Sequence, residues 1–165
     1  MKKMLILIML VLPLFTAAAD GWKNRKIGEY DLSWKFTEQG LMVELSSMTE
    51  GWIAVGFDAE RTMAGADIII GAVKDGKVII EDHFGNGVVR HTKDTALGGS
   101  DDLSGVSGME MDGRTTLRFT IPADGADEND KMLEEGMTYR VIFASSPDDN
   151  IGRKHRRVRG VNLKL

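Results

Sequence analysis

Between Thr116 and Ile121 the chain alternates without a break: Leu117, Phe119 and Ile121 are apolar, and Thr116, Arg118 and Thr120 are polar. A period of two places the first set on one face of a strand and the second on the other, so the segment reads as a half-buried β-strand. Met42–Leu45, Lys77–Ile80 and Tyr139–Phe143 read the same way, and the runs WIAVGF (Trp52–Phe57) and ADIIIG (Ala66–Gly71) read as two more strands. Glycine-bearing turns separate these runs, at Glu38-Gln39-Gly40, Lys74-Asp75-Gly76 and Asp112-Gly113. The two Asp-Gly pairs predict tight hairpins, because glycine accepts the positive φ that such turns require. About nine or ten short strands, roughly every eight to fifteen residues, predict an all-β fold, an antiparallel β-sandwich. Only Asn129–Glu135 (NDKMLEE) suggests a helical turn. In a sandwich, binding residues ride on loops clustered at one end, and three loops stand out: Asp58–Gly65, His83–Asp102 and Ser145–Arg157.

The strands are preceded by a segment of another kind. Lys2 and Lys3 form a basic start, MLILIMLVLPLF is apolar, and Ala17-Ala18-Ala19 supplies the small residues of a cleavage site. Residues 1–19 are therefore expected to be a signal peptide cut before Asp20, with an exported, periplasmic or secreted chain left behind. The apolar run is short for a membrane span and contains Pro13, and no cysteine is available for a lipid anchor, so no direct membrane anchor is expected. Residues 20–165 are the size of one domain with a single core.

The formal charge is −4. It falls to about −6 once Lys2 and Lys3 are removed, a balance that argues against nucleic acid and anionic membranes as partners. Zero cysteines exclude disulfides, thiolate-bound zinc, iron–sulfur clusters, thiol catalysis and covalent CxxCH haem. Any metal centre must draw on His, Met, Asp or Glu.

His83, His91 and His155 are the three histidines, and none forms an HxH or HExxH pair, which argues against a zinc hydrolase. Neither a GxSxG elbow nor a Gly-Lys-Ser/Thr phosphate loop is present. Asp101-Asp102 and Asp148-Asp149 lie among Gly, Ser and Pro, where turn formation explains them better than acid–base catalysis. Calcium binding by such loops stays open, although neither pair has the DxDxDG spacing of a calcium loop.

Met63 sits in the polar loop DAERTMAG between two strands, and His155 in the basic run GRKHRRVRG just before a closing strand, VNLKL. Alone, Met63 reads as a core gap-filler and His155 as a loop histidine that surrounding cations keep neutral. Together they are the donor pair that holds low-spin haem iron. Periodicity does not show whether they meet.

GWIAVGF followed by TMAGAD and an apolar strand resembles the DOMON domain, in particular its haem-b-binding branch, which includes the cytochrome domain of cellobiose dehydrogenase. GGSDDLSGVSGMEMDGRTTLRFTIP, GMTYRVIFASSPDD and a histidine shortly before Arg159-Gly160 continue the likeness in order, from about Lys26 to Leu165. The resemblance implies an immunoglobulin-like sandwich with non-covalent haem b at one end. It implies Met63 and His155 as axial ligands, and single-electron exchange with a soluble or membrane-bound redox partner protein. With both axial positions filled, iron offers no open site, so an electron carrier is expected rather than an enzyme.

Two departures from the family pattern stand out. Lys154 precedes the histidine where an aromatic is usual, and RKHRR is unusually basic. Arg153, Lys154, Arg156 or Arg157 are accordingly expected to neutralise a haem propionate or to face an acidic partner. His91 or His83 is the rival ligand for a bis-histidine site, and Trp52, Phe57 and Phe84 are candidates for the pocket wall. Two alternatives stay open: a haem-free DOMON module for a sugar or other small ligand, and a small haem subunit of a larger periplasmic oxidoreductase.

Overall fold

A computed structural model describes residues 21–165, so the signal-peptide segment expected at 1–19 lies outside the described residues. Eleven strands and one short helix follow in order: β1 (Lys23–Ile27), β2 (Tyr30–Thr37), β3 (Gly40–Ser47), β4 (Ile53–Phe57), β5 (Asp67–Lys74), β6 (Lys77–Gly87), β7 (Arg90–Lys93), α1 (Asp94–Leu97), β8 (Ser104–Met111), β9 (Arg114–Pro122), β10 (Thr138–Ser145) and β11 (Arg157–Lys164). They form two sheets, one of five strands in the order β1-β2-β3-β9-β8 and one of six in the order β11-β10-β4-β5-β6-β7. Every pairing is antiparallel. The expected all-β sandwich is the observed fold.

The core lies between the sheets. Leu32, Trp34, Leu41, Val43, Leu45, Leu117, Phe119 and Ile121 come from the smaller sheet, and Ile53, Val55, Phe57, Ile69, Val73, Val141 and Phe143 from the larger. Alternation therefore chose the inward face of β9 as the sequence predicted. Tyr30 is fully buried, stacks on Phe143 at 5.3 Å and bonds Ser145 Oγ through its hydroxyl at 3.0 Å, which ties the two sheets together.

Both Asp-Gly hairpins form. Asp75 and Gly76 have φ of 51° and 72°, Asp112 and Gly113 have 54° and 73°, and the strands close at Lys74↔Lys77 and Met111↔Arg114. Positive φ at both central residues marks type I′ turns, whose twist matches that of the strands.

Asn129–Glu135 is not helical; the helix among the described residues is α1. Asp127 Oδ1 accepts the Asn129 N–H at 2.8 Å, and Asp130 Oδ2 accepts the Asp127 N–H at 2.7 Å. These local bonds draw the backbone into turns, the usual way aspartate competes with a helix ladder. The segment expected as a loop from His83 to Asp102 is also different. β6 continues through Gly87 and returns as β7 and α1, which puts His83 and His91 on strands.

Candidate functional site

The strand parity that sends Ile69 and Val55 into the core sends their neighbours outward. Ala54 and Gly56 from β4, Ile68 and Ile70 from β5, and Ile142 and Ala144 from β10 thus pave the outer face of the six-stranded sheet with apolar groups. Over this floor lies a trough of about 1180 Å³. The site is on a sheet face, not at an end of the sandwich as the loop pattern implied. At Gly56 an added Cβ would come within 2.8 Å of Ile142 Cγ1 and 3.0 Å of Ile68 Cγ1, so the floor is already close-packed there.

The two expected ligand residues, far apart in the chain, both line this trough. Met63 comes from the β4–β5 loop and is half-buried against the cluster of Ala59, Ala66 and Ile68. The loop is fastened to the sheet. Gly65 N–H donates to Gly85 O at 2.8 Å, Gly85 N–H donates to Ala66 O at 2.8 Å, and Met63 N–H reaches Val88 O at 3.4 Å. Ala64 and Gly65 do not line the trough. Gly65 adopts φ +73°, which side chains rarely tolerate. The close approach is made at Gly85, where a Cβ would stand 1.7 Å from Met63 O.

His155 comes from the β10–β11 loop, with Gly152, Arg153 and Lys154 beside it on the trough wall. Arg153 pairs with Asp148 at 3.2 Å. Asp148 in turn accepts the Asn150 N–H at 2.8 Å, which bears out the turn reading of that aspartate. Of the basic residues predicted to meet a bound anion, Arg153 and Lys154 line the trough; Arg156 and Arg157 do not. Arg140 and Arg159 line it instead. Trp52 is in the wall, Phe57 is in the core, and Phe84 alternates with His83 to the other face of β6.

A chain of three side chains along the same trough escaped the sequence reading. Glu81 Oε2 lies 3.0 Å from His83 Nε2, and His83 Nδ1 lies 3.1 Å from His91 Nδ1. Burial lowers the pKa of His83 against the opposing pull of Glu81; burial, His83 and His155 lower that of His91. Both imidazoles are thus held neutral. The carboxylate takes the His83 Nε2–H, so His83 Nδ1 is the acceptor and His91 Nδ1–H the donor. His91 Nε2 then carries a lone pair, as in imidazoles oriented by a carboxylate for ligation. The sequence signal was Glu81-x-His83, one face of a strand, hidden by reading this region as a loop.

An apolar sheet face walled by a methionine loop, a histidine loop and a cationic rim defines a β-sandwich module with an apolar trough on its outer face. The chain belongs to the DOMON domain family, whose profile matches residues 26–146. DBH-like monooxygenase protein 1 of Mus musculus is 30% identical over 151 residues, 88% of this chain, and DOMON domain-containing protein FRRS1L of Mus musculus is 30% identical over 75% of it. The chain spans only 24% and 41% of those two curated relatives. Among solved structures, the cytochrome domain of Myriococcum thermophilum cellobiose dehydrogenase superposes with a TM-score of 0.59 over 87% of this chain and 81% of that one, at 10% identity. The cytochrome b domain of pyranose dehydrogenase from Coprinopsis cinerea gives 0.53 over 81% and 75%, also at 10% identity. Likeness at that identity establishes the shared fold.

Proposed function

We propose that this chain is an exported b-type cytochrome that carries single electrons through a non-covalent haem. The observation that supports it is Met63 and His155 on the wall of one apolar trough, above a floor of small and branched aliphatic side chains. The donor set fits haem iron: a thioether and an imidazole, with no thiolate in the chain. Met63 and His155 would be the axial ligands, and Arg140, Arg153, Lys154 and Arg159 would neutralise the propionates. When bound, the haem supplies a one-electron Fe(III)/Fe(II) couple. The chain's own part is to exclude water with Ala54, Ile68, Ile70, Ile142 and Ala144, and to hold the two donors on loops fastened to the sheet. A soft thioether ligand and a dry floor both favour the reduced state. The carrier would exchange electrons with a separate redox partner protein, soluble or membrane-bound; no helix among the described residues is long and apolar enough to cross a membrane.

The test is the visible spectrum of the purified chain after haem supply, oxidised and reduced, for wild type, Met63→Ala and His155→Ala. Wild type is expected to be low-spin in both states, and each variant to lose that signature. A colourless wild type would remove the reading and favour a haem-free module for a small ligand. His91→Ala separates the ligand sets. It leaves a Met/His site low-spin, whereas loss of the low-spin bands there, with Met63→Ala unchanged, assigns the second ligand to His91.

A further inference from the structure

On the reverse side of the same strands lies a group of side chains that the trough does not use. Asp67 opens β5 and Asp82 lies in β6, both on the inward parity; Asp94 opens α1, Asp102 follows it, and Asp127 and Asp130 lie in the β9–β10 connection. Carboxylate oxygens of Asp82, Asp102 and Asp130 lie within 4.8 Å of one another, and so do those of Asp94, Asp127 and Asp130. None of the ion pairs among the described residues reaches these six; Lys93 and Lys131, their neighbours in sequence, pair with Glu81 at 3.4 Å and Asp58 at 3.7 Å.

The burial is what makes this group unusual. Asp67, Asp82 and Asp94 are 1%, 2% and 1% exposed. Both oxygens of Asp67 and the Oδ1 atoms of Asp82, Asp94 and Asp102 are buried without a hydrogen-bond partner. Buried carboxylates persist when they are paired, ligate metal or stay protonated. Asp127 is spoken for by the protein: its Oδ2 accepts the Ser100 N–H at 2.6 Å and the Ser100 hydroxyl at 3.1 Å, and its Oδ1 accepts the Asn129 N–H. Asp102 Oδ2 shares the Ser100 hydroxyl with Asp127 while Asp102 Oδ1 has no partner, and Asp130 Oδ2 accepts the Asp127 N–H.

We propose that Asp82, Asp102 and Asp130 form a calcium site, with the buried carboxylates of Asp94 and Asp67 supplying further negative charge behind it. An all-oxygen, carboxylate-rich donor set selects a hard divalent cation and disfavours zinc or copper, which seek nitrogen or sulfur. Ligands drawn from two loops and a strand suit the variable coordination of calcium better than the strict octahedron of magnesium. The ion joins β5, β6, α1 and the β9–β10 connection. Because Asp67 directly follows the loop that carries Met63, it also steadies that loop from behind.

The experiment uses the purified chain, haem-loaded and haem-free alike, stripped with EDTA and titrated with calcium chloride by calorimetry, with thermal melts in parallel. One saturable site per chain and a higher melting temperature in millimolar calcium are expected, with magnesium chloride much weaker. Asp102→Asn and Asp130→Asn alter half-buried rim residues; each is expected to weaken calcium binding by about tenfold or more, while Asp148→Asn leaves it unchanged. Asp82→Asn replaces a buried ionisable carboxyl with a neutral amide of the same shape, so it is expected to melt above wild type in EDTA yet gain nothing from calcium, a sign that a purely structural role does not produce. A wild type with neither binding heat nor thermal shift overturns the proposal, as does unchanged affinity in both rim variants. Neither outcome bears on the haem.

Discussion

Replacing Gly85 by alanine isolates how the Met63 loop is held. The new methyl carbon would stand 1.7 Å from Met63 O, 2.7 Å from Met63 C and 3.1 Å from Ala66 N, all of them backbone atoms. A side chain could swing aside, but the loop backbone can only lift off β6. Lifting breaks Gly65 N–H to Gly85 O and Gly85 N–H to Ala66 O, each 2.8 Å. At about 1 kcal/mol net for each bond, the loss is about 2 kcal/mol. For a domain of this size that lowers the melting temperature by roughly 4–8 °C. The loss should also be local, so hydrogen exchange is expected to show the Gly65 and Gly85 amides losing protection while Leu117 and Phe119 keep theirs. If Met63 is the ligand, the haem-loaded variant should lose the low-spin bands as Met63→Ala does. Gly76→Asn is the control, since Gly76 has open space around it and its φ of +72° is one asparagine accepts. A Gly85→Ala protein that melts within about 1 °C of wild type, with both amides still protected, would show that the loop is not held as argued.

Two further outcomes follow from buried polar groups. In EDTA, burial and neighbouring aspartates raise Asp82 to about 9 and Asp94 to about 7, from an ordinary value of 3.8. The folded chain then binds protons that the unfolded chain releases, so its stability should fall progressively from about pH 4 to about pH 9, as denaturant melts across that window would show, and calcium should flatten the decline. Tyr30→Phe removes the 3.0 Å bond to Ser145, which is itself 2% exposed, and should cost about 1–2 kcal/mol, read as a lower denaturation midpoint at unchanged slope.

Much of the architecture was legible in local chemistry. Alternation at Leu117, Phe119 and Ile121 declares a buried face because a strand has no other way to segregate its side chains, and Asp75-Gly76 and Asp112-Gly113 declare type I′ turns because few other pairs accept positive φ twice. Met63 and His155 became candidate ligands through the family resemblance, residue chemistry adding only that a thioether and an imidazole are suitable donors. Their setting was not legible in either. Which face of the six-stranded sheet becomes the trough depends on β10 pairing with β4, a contact between segments far apart in the chain. Only that pairing puts Ile142 and Ala144 beside Ala54 and Gly56 and brings the His155 loop to the Met63 loop.

The histidines and aspartates make the same point. His83 and His91 looked like loop residues because Gly85, Asn86 and Gly87 read as a break, yet a bulged hairpin carries β6 through them and aligns Glu81, His83 and His91. Asp102 looked like a turn residue, and Asn129–Glu135 like a helical turn. Sequence spacing reports on neighbours three or four residues away, whereas five of the six aspartates that converge come from separate elements and connections. The sequence by itself determined the strands and the hairpins, because those follow from local sterics and hydrophobic periodicity, and it supplied the candidate ligands through the family resemblance. The tertiary structure decided which of those residues share a surface and which share a burial, because only long-range strand pairing fixes what lies behind each side chain.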